Sequence, residues 1–204
     1  AESLAKATRN DGQVAEKMDA YIDIILLPDP EFPATTLMNA LFGKFHRGLV
    51  RYGEGAIGVS FPDVRDEMRS LGNRLRLHGT LETLRGFQQT DWLTGMRDHV
   101  SVNSACVVPA NVRHRVVRRV QAKSNPERQR RRLIARKGIS AERAMQTIPD
   151  SAAERLNLPY LVLTSQSTGQ QFRLFVEHLA VREQAVGGEF SAYGLSSTAT
   201  VPWF

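Results

Sequence analysis

The first hydrophobic stretch of the chain, DAYIDIILL at residues 19–27, is short, rich in β-branched side chains and closed by the turn-forming PDPEFP, which predicts a strand. From about Thr36 to Arg51 the period lengthens: Leu37, Leu41, Phe45 and Leu49 recur every four residues and predict a helix with one apolar side. AIGVSFP at 56–62 and RLRLHG at 74–79 read as two further strands. A second helix begins near Thr80, and VSVNSACVVP at 100–109 reads as a fourth strand. The resulting order, β-α-β-β-α-β, is that of the ferredoxin-like arrangement.

After residues 109–112 the character of the chain changes. RHRVVRRVQAK (113–123) lacks helical periodicity, and if it is extended, Arg113, Arg115, Arg119, Gln121 and Lys123 share one side. SNPERQRRRLIARKG (124–138) reads as a helix, with Asn125 as its cap, Pro126 at the first position and Gly138 at the exit. A further helical stretch runs from Ser140 to Pro149. LVLTSQS and QFRLFVEH, joined at Gly169, read as a hairpin, and Gly187 and Gly188 precede EFSAYGLSS and the terminal VPWF. The expected class is therefore α+β. A ferredoxin-like domain would span 18–110 and a second region 111–204, the latter carrying an arginine-rich helix and a β-hairpin. Residues 1–17 stand apart as an extension of unknown role.

Charge sharpens this picture. The formal net charge is +6, yet residues 113–137 hold eleven Lys/Arg against one acid, so that segment is +10 and the remainder −4. Such a concentrated stripe is the footprint of a polyanion partner rather than general basicity. On a helical wheel Arg128, Arg131, Arg132 and Arg136 fall within an arc of about 140°, with Leu133 and Ile134 turned away. Arg128 and Arg132 repel at i,i+4 spacing, so the helix costs stability until an anion neutralises it. The planar guanidinium fork suits bidentate contact with phosphate and with base edges. On β-spaced residues, Arg119 can take both acceptors of guanine and Gln121 can pair with the outer edge of adenine; contacts to phosphate or water satisfy the same spacing equally well.

Other chemistries are thinly represented. Cys106 is the single cysteine and sits in the apolar run ACVVP, which reads as a buried thiol in a reducing cytoplasm. His46, His78, His99, His114 and His178 are scattered without a ligand spacing, so no metal site is expected. No Walker or Rossmann glycine pattern occurs, no apolar run has the length of a membrane helix, and AESLAKATRNDGQVAEK carries no secretory hydrophobic segment. His46 itself falls about 100° from the centre of the apolar side of its helix, at the rim, with Gly43 one turn back leaving room for a ligand.

FGKFHRGLV, GVSFPD, RVQAKSNPER, LTSQSTGQQFRLF, the glycine pair with AYGLS, and terminal VPWF occur in that order. Together they resemble the CRISPR-associated endoribonuclease family of type I-F systems, which cuts precursor CRISPR RNA at the base of each repeat stem-loop. The resemblance runs from Met18 to Phe204. It implies that the arginine-rich helix lies in the major groove of the repeat hairpin. Arg131, Arg132 and Arg136 would bind stem phosphates with help from Arg128, and Arg119 and Gln121 would read the base pairs at the bottom of the stem. Phe172 would stack on the last pair and Ser167 would contact the RNA nearby. Ala135 and Lys137 stand where the family pattern has arginine and histidine, which removes one phosphate contact and makes another a lysine contact.

The resemblance also places His46 at the family's catalytic position, with Ser165 holding the 2′-OH and Tyr193 orienting the imidazole or the ribose. RNA supplies its own nucleophile, the ribose 2′-OH, so neither metal nor cofactor is needed. An imidazole, with an ordinary pKa near 6.5, exchanges protons at neutral pH. The implied products are a 2′,3′-cyclic phosphate and a 5′-hydroxyl. The implied partners are the repeat stem-loop and the other protein subunits of the type I-F surveillance complex, in the cytoplasm, with no membrane. Two readings stay open beside this one: a hairpin-binding ribonucleoprotein subunit without catalysis, and a DNA-binding regulator, the latter weakened by the absence of a helix-turn-helix pattern.

Overall fold

The computed structural model describes residues 18–204 except Glu54, Asp66, 122–125 and 150–155. The expectations for residues 1–17, for Asn125 as a cap and for Lys123 lie outside the described residues. Strand β1 (Ala20–Leu26) sends Ala20, Ile22, Ile24 and Leu26 into the core and Tyr21, Asp23 and Ile25 to the other face. Its alternation is the period of two that a pleated strand imposes. It lies between β3 (Arg74–Gly79) and β4 (Val100–Val102), and β2 (Gly58–Ser60) extends the sheet beyond β3, giving the antiparallel order β2-β3-β1-β4. Helices α1 (Ala34–Tyr52) and α2 (Leu81–Gln88) complete the β-α-β-β-α-β order of the ferredoxin-like arrangement. Thr80 caps α2 by accepting from the Thr83 amide.

The expected fourth strand is broken. After β4 the chain leaves the ladder at Asn103, whose Oδ1 accepts the Asp23 amide at 2.6 Å, and it rejoins β1 as β5 (Cys106–Val107). A side-chain acceptor has replaced a backbone one. Cys106 consequently sits half-buried at this edge, donating to the Ser104 carbonyl, and is not the core thiol its apolar neighbours implied.

In the second half, β7 (Val117–Val120), β9 (Gln171–His178) and β8 (Tyr160–Thr164) form an antiparallel sheet in the order β7-β9-β8, and β6 (Arg113–Arg115) pairs with β10 (Val201–Trp203). Helices α3 (Pro126–Lys137) and α4 (Ala141–Thr147) lie between β7 and β8 in the chain. Gly138 ends α3 with φ 61°, its amide bonded to the Ile134 carbonyl, as its place at the helix exit implies. One hydrophobic cluster joins both halves: Ile22, Leu77, Phe42 and Phe45 are continuous with Leu161, Leu163, Leu174 and Val176. Each such side chain contributes about 1.5–3 kcal/mol of burial.

The extended reading of 113–123 holds only in part. Val116 and Val117 are both buried, so alternation breaks between β6 and β7. Arg115, placed by strict alternation beside Arg119, instead turns inward: it donates to the carbonyls of Leu179 and His178 and lies over the Trp203 ring. Two adjacent valines seeking the core shift the register by one, and a register shift of one exchanges faces.

The sheet face opposite the helices is also covered. Arg76 on β3 holds both carboxylate oxygens of Asp23, at 2.6 and 2.9 Å, and donates to the Phe204 carbonyl at 2.9 Å. Its guanidinium lies 4.7 Å from the Tyr21 ring centroid and 4.0 Å from that of Phe204. The terminal Phe204 thus covers Arg76 and Tyr21 on that face.

Candidate functional site

Helix α1 buries Leu37, Met38, Leu41, Phe42, Phe45, Gly48 and Leu49, which leaves His46 half-exposed at the edge of its apolar side. The same helix is tied to β8 by Asn39, whose Oδ1 accepts the Val162 amide at 3.0 Å. Between α1 and the end of β8 opens a cleft of about 610 Å3. His46, Ser165, Ser167, Phe172 and Tyr193 all line it, so five residues separated by up to 147 positions in sequence share one hollow. Lys44, Arg47 and Arg51 line it too.

The imidazole is held on two sides. Its Nδ1 is 2.7 Å from the Ala192 carbonyl. A carbonyl only accepts, so Nδ1 donates to it and Nε2 is the ring nitrogen left free of this contact. Its ring stacks on Tyr193, with centroids 4.2 Å apart and planes 13° from parallel, and Tyr193 is in turn nearly parallel to Phe42 at 6.5 Å. Such stacking fixes orientation at little entropic cost.

The turn that presents Ala192 and Tyr193 is set by AYG. Gly194 has φ 67°, and a Cβ there would lie 2.9 Å from Val59 Cγ1, so only glycine fits. Its amide bonds to the Ser191 carbonyl, and its own carbonyl accepts the Val59 amide on β2.

Strand β8 ends at Thr164, earlier than the expected LVLTSQS, because Ser165 opens the hairpin loop: its amide bonds to the Gln170 carbonyl and its carbonyl accepts the Gly169 amide. Ser165 Oγ and Ser167 Oγ are 3.1 Å apart, so the two hydroxyls point the same way. Arg119, exposed on β7, reaches over the outer wall. Its guanidinium carbon lies 5.8 Å from the Phe172 ring centroid and 5.5 Å from that of Tyr193. Gln121 is exposed just past the end of β7.

The cations of α3 do not enter the cleft. Arg128, Arg131, Arg132, Arg136 and Lys137 are all exposed on that helix, whereas Arg130 is half-buried and donates from Nε to the Ile148 carbonyl at 2.7 Å. Leu133 and Ile134 are half-buried on the opposite side. The arc of arginines therefore faces outward, and the one arginine outside the arc is an anchor. Sequence reasoning passed over Lys44, Arg47 and Arg51, although their three- and four-residue spacing on an amphipathic helix was the available signal.

Among the described residues no helix is long and apolar enough to cross a membrane. The family of CRISPR-associated proteins termed Cas_Csy4 matches residues 21–204. The chain is 51% identical over 187 residues to the CRISPR-associated endonuclease Cas6/Csy4 of Pseudomonas aeruginosa (strain UCBPP-PA14), covering 92% of this chain and all of that relative. It is 45% identical over 187 residues to the CRISPR-associated endonuclease Cas6/Csy4 of Escherichia coli (strain UTI89 / UPEC), with the same coverage. A cleft with a braced imidazole beside paired hydroxyls and an outward cationic helix thus sits in a chain that belongs to the Cas_Csy4 family.

Proposed function

We propose that this protein is a CRISPR repeat-specific endoribonuclease that grips the stem-loop of a precursor CRISPR RNA and cuts the strand at the base of the stem. The observation that carries this reading is the convergence of His46, Tyr193 and Ser165 in one cleft, with Arg119 reaching over its wall. The endonuclease names of both relatives support it.

In the reaction the ribose 2′-OH gives up its proton as its oxygen attacks the adjacent phosphorus, the bond from phosphorus to O5′ breaks, O5′ takes up a proton, and the products are a 2′,3′-cyclic phosphate and a 5′-hydroxyl. His46 moves the proton at Nε2, since Nδ1 is committed to Ala192. Tyr193 positions the imidazole by stacking. Ser165 holds the 2′-OH in line, and alignment of this kind supplies several kcal/mol. Neither metal nor cofactor takes part.

Arg131, Arg132, Arg136, Lys137 and Arg128 bind stem phosphates. Arg119 and Gln121 read the lowest base pairs, where the A-form groove opens at the helix end. Phe172 stacks on the last pair and Ser167 contacts the RNA beside it. Residues 18–110 supply the imidazole, and 111–204 form the RNA-binding domain. After cutting, the protein stays on its product hairpin as a subunit of the type I-F surveillance complex in the cytoplasm.

A 5′-labelled repeat hairpin incubated in EDTA tests the reading. The wild-type protein yields one cut with a cyclic phosphate end. His46→Ala slows cutting by roughly 10²–10⁴-fold and retains hairpin binding. Cutting by His46→Ala at the wild-type rate would remove the imidazole from the mechanism, and absence of any wild-type cut would leave a binding subunit.

A further inference from the structure

Helix α1 carries a second row of cations, separate from those of α3. Lys44, Arg47 and Arg51 lie at i, i+3 and i+7, and at 100° per residue Arg47 is about 100° round the helix from His46, with Arg51 and Lys44 further in the same direction. All three line the cleft that holds His46, and all three also line a second hollow of about 450 Å3 against Thr90, Asp91 and Trp92. The row thus connects the two hollows.

Arg47 folds back along the helix: its Nη1 lies 3.5 Å from the point a Cβ on Gly43 would occupy, on the turn before His46. Lys44 donates from Nζ to the Thr94 carbonyl and so spans the second hollow. Among the described residues neither Arg47 nor Arg51 forms an ion pair, and Asp91, the acid on this wall, faces Arg97 at 3.4 Å. Arg47 and Arg51 sit at i,i+4 and repel, a cost that an anion between them would relieve. The groove therefore offers positive charge along a path. Of the two aromatics lining the second hollow, Trp92 is buried and Tyr52 is exposed.

We infer that this row receives the phosphates of the single-stranded RNA that continues past the scissile bond. The inference rests on the proposed function, and its direction follows from the layout. Arg119 and Phe172 stand on the β7–β9 side of His46, where the stem is held; Lys44, Arg47 and Arg51 lead away on the other side of α1. A strand leaving the imidazole meets Arg47 first. The contacts are to backbone, so they add affinity for any flanking sequence. They also draw the strand taut across the cleft, which keeps the phosphate in reach of Nε2.

The test is a binding comparison with the full chain. Two RNAs are used, the repeat hairpin ending at the cut and the same hairpin extended by six uridines beyond it. The extended RNA carries a 2′-deoxy sugar at the cut so that it stays whole. For the wild-type protein the extension tightens binding about tenfold and steepens the log-log salt slope by about 1.4, two phosphates on a single strand. In the double variant Arg47→Gln, Arg51→Gln the ratio of the two affinities falls towards one. Using the ratio cancels any change that the substitutions make to stem binding. An extension that adds nothing for the wild type, or that adds as much for the variant, overturns the inference. Failure of the wild type to bind the bare hairpin overturns the hairpin reading instead.

Discussion

Gly43 shows how a single missing side chain can serve the site at the expense of the fold. It lies inside the 19-residue helix α1, where glycine is about 0.5–1 kcal/mol worse than alanine. A Cβ built on it meets only Arg47 Nη1 at 3.5 Å, an ordinary contact, so nothing in the protein itself forbids alanine. The position lines the cleft one turn before His46. Gly43→Ala is therefore expected to raise the unfolding free energy by about 0.5–1 kcal/mol and to slow single-turnover cleavage about tenfold by pushing the RNA off line. Thermal unfolding and a quench experiment on the two proteins decide this. A stabilised variant that cuts at full speed would mean that the RNA does not pass over this turn.

At the scale of elements, the cationic helix depends on a neighbour. Helix α3 has no buried residue; it packs on α4, its Leu133 and Ile134 are half-buried, and Arg130 bonds the carbonyl of Ile148, just past the end of α4. A hydrogen bond from a charged donor contributes about 1.5–3 kcal/mol. Arg130→Ala should thus speed amide exchange in α3 and α4 by at least tenfold and weaken hairpin binding indirectly. Arg132→Ala should weaken binding with exchange unchanged, since Arg132 is exposed and repels Arg128. Equal exchange in the two variants would deny Arg130 its anchoring part. The contrast also marks what sequence could convey. The order of elements, the approximate span of α1, the exit of α3 at Gly138 and the outward arc of arginines follow from local periodicity and turn chemistry. The inward turn of Arg115, the Asn103 break in the edge strand and the half-exposed Cys106 do not, because each is decided by a partner distant in the chain. His46 and Tyr193 are 147 residues apart, and no spacing rule links them; the string FGKFH and the AYG turn were legible only as a resemblance, whereas the row Lys44, Arg47, Arg51 was legible by spacing and was passed over.

For the molecule as a whole, the two halves meet around a histidine that is held neutral at ordinary pH. His178 closes β9 beneath Trp203, with its ring centroid 5.7 Å from the indole and 6.0 Å from Phe61. Its Nε2 accepts the Phe61 amide at 3.4 Å, and its Nδ1 is buried without a hydrogen-bond partner. Burial, and then the nearby Arg115 guanidinium, push its pKa down from 6.5 to about 3. Protonation would set a second donor against the Phe61 amide and a cation beside Arg115, at the seam where the terminal strand holds the two sheets together. His78, buried on β3 and bonded to Ser60, is lowered in the same direction by burial and then by Arg76. The folded pKa lies below the unfolded one, so the unfolded chain binds the extra proton between pH 6.5 and 3. Stability from His178 is complete above pH 6.5 and falls by about 1.4 kcal/mol per unit as the pH drops through that window. Between pH 7 and pH 5 this amounts to about 2 kcal/mol from His178, and His78 adds to it. Denaturant unfolding at the two pH values should show that loss, and His178→Gln, which can still accept from Phe61 but does not titrate, should reduce it by about 2 kcal/mol whatever its absolute stability. A loss of the same size in both proteins would place the acid sensitivity elsewhere than this seam.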